Sequence, residues 1–294
     1  MATPMQWFAA TRPRTLPAAV APVLVGAVLA YTNDALNIVL SLLAAVVALA
    51  LQIGVNYSND YSDGIRGTDE VRLGPTRLVG QRLASATSVR RAAFAAFGAA
   101  ACAGLAMVLL TGYWVLLIVG CLAIVSAWYY TGGENPYGYL GLGELFVFIW
   151  FGLVAVNGTL FVQTGTLTDW RGWILGAGAG ALSCALLVAN NLRDVPTDAT
   201  VGKRTLAVRI GDHRTRLFFT GLLFFGMTTP FALFAVGEPI RISFALCVLP
   251  FLVAHKPGRA VLNGARGAAL LPVLGSTGQI LLLWALATSA ALVL

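Results

Sequence analysis

The segments LPAAVAPVLVGAVLAY, starting at Leu16, and GQILLLWALATSAALVL, starting at Gly278, have no polar face at helical spacing. A helix made this way shows nothing to water on any side, so it belongs in a deep core or in a lipid bilayer. Such stretches recur along all 294 residues, and only 11% of the chain is charged, against roughly 25% in soluble domains. A soluble helical enzyme needs polar outer faces, which these segments lack. The chain is therefore read as an all-α, polytopic membrane protein whose partner is the lipid bilayer, with one transmembrane domain over residues 1–294.

A bilayer crossing takes about 20 apolar residues. Nine stretches fit that length: 16–32, 36–58, 92–110, 113–130, 142–163, 171–192, 217–236, 240–254 and 269–292. The N-terminal MATPMQWFAATRPRT has no apolar core followed by a small-residue cleavage site, so no cleaved signal peptide is expected. Placing the N-terminus inside puts all but Arg171 and Arg241 of the 19 Lys and Arg residues on one face. By the positive-inside rule that face is cytoplasmic, and the expected location is the inner (plasma) membrane, crossed many times. The net charge of +7 then follows from topology, and no nucleic-acid partner is expected because no soluble basic domain carries it.

The four cysteines, Cys102, Cys121, Cys184 and Cys247, lie inside apolar spans without CxxC spacing and are expected in the core. His213 and His255 stand alone and carry no metal pattern. GAGAG at 176–180 lies mid-span with no strand before it, so it reads as close helix packing and not as a nucleotide loop.

The chemistry gathers at two span ends. In NYSNDYSDGIRGTD, Asn56, Asn59, Asp60 and Asp63 recur at steps of three and four and share one helix face, with Asp69 following after Gly64 and Gly67. In NNLRDVPTDATVGKRT, Asp194 and Asp198 stand four apart, with Lys203 and Arg204 just beyond. Both spans run in the same direction, so the two clusters emerge on one membrane face, as two four-helix units around a shared mouth with one extra helix would place them. Carboxylates brought together in this way repel unless cations sit among them. Mg²⁺ suits hard oxygen donors and bridges to phosphate, and a diphosphate whose other end must lie in hydrocarbon is a polyprenyl diphosphate. An ion site in a transporter is the reading from a different class. It expects coupling acids near the midplane in broken helices, whereas both clusters sit at a mouth.

Four blocks resemble the UbiA superfamily of intramembrane prenyltransferases, and more narrowly its 1,4-dihydroxy-2-naphthoate polyprenyltransferases of menaquinone synthesis. They are TRPRTLPAAVAPVLVG, NDYSDGIRGTD with RLGPTRLV, YTGGENPYGYLGLGELFVFIWFG and NNLRDVPTDATVGKRTLAVRIGD. The resemblance implies nine transmembrane helices around a central cavity and Mg²⁺ dependence. It also implies prenylation of 1,4-dihydroxy-2-naphthoate with loss of its carboxylate, giving demethylmenaquinone. A sister enzyme acting on hydroxybenzoate, homogentisate or haem is the alternative. By position, Asn59, Asp60, Asp63, Asp194 and Asp198 fall on metal-motif positions, while the last Asp of the first motif would fall on Gly67, leaving Asp69 two residues late.

Asp60, Asp63, Asp194, Asp198 and Lys203 are the expected catalytic set. Asn56, Asn59, Arg66, Tyr130, Asn190, Arg193, Lys203 and Arg204 are expected to hold the substrates, with Arg193 facing the aromatic carboxylate. Tyr130 or Tyr129 is expected to shield a developing allylic cation with a ring face. Many superfamily members carry a Lys-Arg pair after span four, but here Tyr130 is followed by Thr131, Gly132 and Gly133, so other loops must supply that charge. Arg14 is either a topological anchor or a carboxylate partner, and Glu144 at the head of an apolar span must be capped or used.

Overall fold

The computed structural model describes residues 2–67 and 76–294; its regular elements are helical, with no strand among the described residues. Asp69 lies outside the described residues. A short amphipathic helix, α1 (Pro4–Ala10), opens the chain behind a capping box in which Thr3 and Gln6 satisfy each other's backbone N–H groups. The nine apolar stretches then form α2 (Pro17–Thr32), α3 (Ile38–Ile65), α4 (Ala86–Thr111), α5 (Val115–Tyr129), α6 (Gly143–Thr164), α7 (Trp170–Thr200), α8 (Asp212–Val236), α9 (Ile242–Leu262) and α10 (Gly267–Val293).

The count of nine crossings is not confirmed. Among the described residues seven helices are long and apolar enough to cross a membrane, or eight if Pro4–Thr15 and Pro17–Thr32, which meet at 55°, make one bent span. Two of the nine helices fall short of that length, α2 with 16 residues and α5 with 15. Gly112, in the left-handed conformation, closes α4, and α5 ends at Tyr129 after 15 residues.

Helix α7 is the axis of the bundle: 78% of its apolar window is buried, against at most 50% in any other span. Its small residues make this possible. A side chain at Gly152 of α6 would stand 2.5 Å from the Gly176 carbonyl oxygen, so α6 and α7 meet backbone to backbone. Around α7 one large core gathers residues of α2, α6, α8, α9 and α10, including the fully buried Trp284 and Phe219. A smaller core joins α1, α3, α4 and α5 through Tyr57, Leu78, Val89 and Phe97. A third cluster, with Val23, Leu40, Ala44, Met107 and Val162, joins α2, α3, α4 and α6, while α5 lies at the edge with Ala127 as its buried residue. Cys102 and Cys121, on the outward faces of α4 and α5, are exposed and correct the expectation of four core cysteines; Cys184 and Cys247 are buried.

At the end of the bundle away from the Asp motifs, Arg171 bonds Asp169 at 2.8 Å and Glu238 at 3.3 Å, and Arg241 approaches Glu238 at 3.7 Å. Asn33 at the end of α2 donates to Asp169 at 3.0 Å. The two cations that the topology leaves on this face are thus neutralised, and their network ties helix ends together.

Candidate active site

The rise of 1.5 Å per residue places Asn56 about 27 Å along α3 and Asn190 about 30 Å along α7, where a hydrocarbon core of about 30 Å ends. Both helices run past that limit, and their last turns carry the acids. These turns meet. Lys203, in the turn after α7, puts its Nζ 3.6 Å from Asp63 and 4.0 Å from Asp198, so one ammonium is shared by both motifs. Asp63 and Asp198 are 1% and 4% exposed. The Tyr139 hydroxyl donates to Asp63 at 2.7 Å, and its ring lies under Lys203 at 4.9 Å and Arg66 at 5.3 Å.

The remaining polar residues hold the ends of the helices to the loops. Asn56 donates to the Thr11 carbonyl at 2.8 Å, and Asn59 accepts from Thr131 at 2.7 Å. Arg66 donates to the carbonyls of Thr131 and Gly133, which fastens the end of α3 to the loop after α5. Arg204 is exposed and gives its backbone N–H to the Tyr139 carbonyl at 3.1 Å. Asp60 turns both oxygens to backbone, accepting from Leu78 at 2.7 Å and Val79 at 3.1 Å. Arg193 grips Asp194 through two bonds of 2.7 and 2.8 Å and donates to Asn190 at 2.8 Å. Its Nε and Nη2 are engaged within its own helix turn. Neighbouring residues start about 100° apart on a helix, but the long Arg side chain curls back to Asp194.

A cavity of about 880 Å³ opens beside this meeting point. Asn56, Asn59, Asp63, Arg77, Asn190 and Lys203 line its polar end, and Val47, Leu51, Met107, Leu117, Trp150 and Val162 line part of the apolar remainder. A π-helical stretch of α6, Ile149–Val154, turns Trp150 and Phe151 into the wall. Tyr130 also lines the cavity and meets Tyr137 edge to face at 5.6 Å, and Tyr137 stacks on Phe146 at 4.0 Å. Burial pushes the Tyr137 phenol above its ordinary value, and its hydroxyl donates to the Ser126 carbonyl at 2.9 Å. Tyr129 is half exposed. Glu144 is buried and capped by Asn191 at 3.0 Å. Arg14 is exposed and borders the cavity.

Tyr139 and Arg77 escape sequence reading. Both lie in blocks that carry the family resemblance, RLGPTRLV and YTGGENPYGYLGLGELFVFIWFG, but no helical period assigns them to the site, and only the return of their loops brings them to the acids. Among the described residues, no three acidic, His or Cys side chains form a ready metal cage.

Acidic helix ends that meet beside a cavity polar at its mouth and apolar beyond it define a polytopic membrane protein with an amphipathic site. The chain belongs to the UbiA prenyltransferase family, whose model matches residues 19–269. It is 50% identical to a 1,4-dihydroxy-2-naphthoate octaprenyltransferase of Mycobacterium tuberculosis, over 99% of this chain and 98% of that protein. It is 36% identical to the protein of the same name from Escherichia coli, over 92% of this chain and 89% of that one. The fold is similar to that of a UbiA homologue from Archaeoglobus fulgidus solved with DMAPP and Mg²⁺, with a TM-score of 0.70 at 15% identity, over 98% of this chain and 100% of that one.

Proposed function

We propose that this chain transfers a polyprenyl group from polyprenyl diphosphate to 1,4-dihydroxy-2-naphthoate, with loss of the carboxylate, giving demethylmenaquinone. The observation that carries the reading is Lys203 shared between Asp63 and Asp198 at the polar end of an otherwise apolar cavity. The names of the M. tuberculosis and E. coli relatives support the acceptor.

The donor set fits Mg²⁺. Asp63, Asp198 and Asn59 present hard oxygens, and the two carboxylates already share a cation in this structure. These residues, with Asp194 beside them, would hold the metal. When bound there, Mg²⁺ supplies positive charge that steadies the diphosphate as it departs.

The chain's own groups do the rest. Lys203 faces the mouth and follows charge as it grows on the leaving diphosphate. Trp150, Tyr130 and the Tyr137–Phe146 stack lay ring faces along the wall where the allylic carbon becomes cationic. The apolar lining keeps out water, which would otherwise capture that carbon. The electron-rich naphthoate ring is then the nucleophile within reach.

Purified protein given farnesyl diphosphate, Mg²⁺ and a panel of aromatic acids is expected to yield a prenylated, decarboxylated naphthalene product by mass spectrometry. A product only from hydroxybenzoate or homogentisate would overturn the acceptor, and substrate flux with no covalent product would overturn the transferase. The basic face, with the mouth, is placed in the cytoplasm of a cell whose plasma membrane holds the enzyme. A cysteine introduced at exposed Arg204 should react with an impermeant thiol reagent in inverted vesicles and not in intact spheroplasts; the reverse pattern would invert the topology.

A further inference from the structure

The loop after α5 carries no Lys or Arg at Thr131, Gly132 or Gly133, yet a diphosphate at the mouth needs more cationic contact than one ammonium. Arg77 stands in the cavity wall with Asn59, Asp63 and Lys203, and it is 4% exposed. Arg12 and Arg14 also border the cavity, but both belong to the N-terminal segment and neither is buried.

What fixes Arg77 is the residue that the motif pattern would give to metal. Each oxygen of Asp60 accepts one backbone N–H, from Leu78 at 2.7 Å and from Val79 at 3.1 Å. The pinned segment is tight on its other sides. Leu78 is wholly buried in the core of α3 and α4, and a side chain on Gly64 would come within 2.5 Å of the Val79 Cβ. The Arg77 carbonyl accepts from Gln81 at 3.1 Å, which closes a turn behind it. A carboxylate paired with two adjacent amides sets the backbone of a loop with little freedom, so the next residue back, Arg77, enters the cavity in a fixed place.

We propose that Arg77 binds the diphosphate of the prenyl substrate and that Asp60 is a positioning residue, which sets Arg77 there through the amides of Leu78 and Val79. This rests on the prenyltransferase reading. It separates the acids by task. Asp63 lines the mouth and shares Lys203 with Asp198, and Asp60 builds the loop that carries Arg77.

The test is a double-substitution cycle read by binding and not by turnover. The probe is geranyl S-thiolodiphosphate, which keeps the diphosphate but resists ionisation, with binding followed by thermal shift at saturating Mg²⁺. Arg77→Met is expected to weaken the analogue about tenfold or more, the size of one or two charge-assisted hydrogen bonds. Asp60→Asn is expected to weaken it similarly in the natural background and hardly at all in the Arg77→Met background. At saturating analogue, the Mg²⁺ concentration for half-maximal stabilisation is expected to be unchanged by Asp60→Asn and raised by Asp63→Asn. If Asp60→Asn does not fold, Asp60→Glu, which keeps the charge and both acceptors on a longer stem, takes its place in the cycle.

An equal loss from the Asp60 substitution in both backgrounds, or a raised Mg²⁺ requirement, would return Asp60 to the metal and overturn the proposal. Unweakened binding by Arg77→Met would overturn it directly. If the unsubstituted protein gains no stability from the analogue, the prenyltransferase reading itself fails, which the cycle distinguishes from failure of the loop argument alone.

Discussion

Asp63→Asn and Asp198→Asn should each lower turnover about a hundredfold or more while leaving the protein folded. Both carboxylates are buried at the mouth and share Lys203, and together they are the groups that bring the two Asp motifs to one point. An outer partner of a metal site already costs about 10–100-fold when removed, so a group facing the metal and the leaving diphosphate should cost at least the upper end of that range. Asn at position 63 keeps an oxygen for the Tyr139 hydroxyl, so the change removes charge and not the hydrogen bond. Turnover by product analysis, with the unfolding temperature in parallel, checks the prediction. Near-normal activity in either variant would remove the metal model from this mouth.

The second large effect concerns Lys203. In Lys203→Met the two acids lose the cation between them, and two buried carboxylates at this range repel. The substrate-free protein should unfold at a lower temperature in low salt, and Mg²⁺ with an unreactive prenyl diphosphate should restore more stability than either alone. In turnover, kcat should fall by more than KM for the prenyl diphosphate rises, because the ammonium's contact strengthens as charge moves onto the departing group. An unaltered unfolding temperature together with an effect on KM alone would reduce Lys203 to a simple binding contact.

Much of the architecture was readable from residue order, and the reasons for the misreadings are local. Apolar runs located the helices α2 to α10, and steps of three and four put Asn56, Asn59, Asp60 and Asp63 on one face, which the structure buries together. Helix length was less legible, because Gly112 and the turn at Tyr130–Gly133 decide where α4 and α5 stop. Packing rank was not legible either. The glycines of α7 show that something comes close, but not that α7 becomes the axis. In the site, residue type announced the acids and their placement but not their partners. Asp60 reaches amides 18 and 19 positions away, and Tyr139 reaches Asp63 from 76 positions away. Such partners depend on how loops return, and no helical period encodes that.

The two-ended cavity also governs what becomes of the products. In the proposed reaction a single molecule spans both environments, its diphosphate at the polar end lined by Lys203, Asp63 and Arg77 and its chain along the apolar wall. Bond cleavage cuts it at the border between them. Diphosphate then prefers water, while the prenylated ring prefers hydrocarbon by about 0.8 kcal/mol for each buried methylene. The two halves demix into separate phases, and recombination requires that both return to the same small opening at once. Directionality in this reaction is therefore partly a matter of partition, supplied by a boundary that the helix ends of α3 and α7 place at the edge of the bilayer.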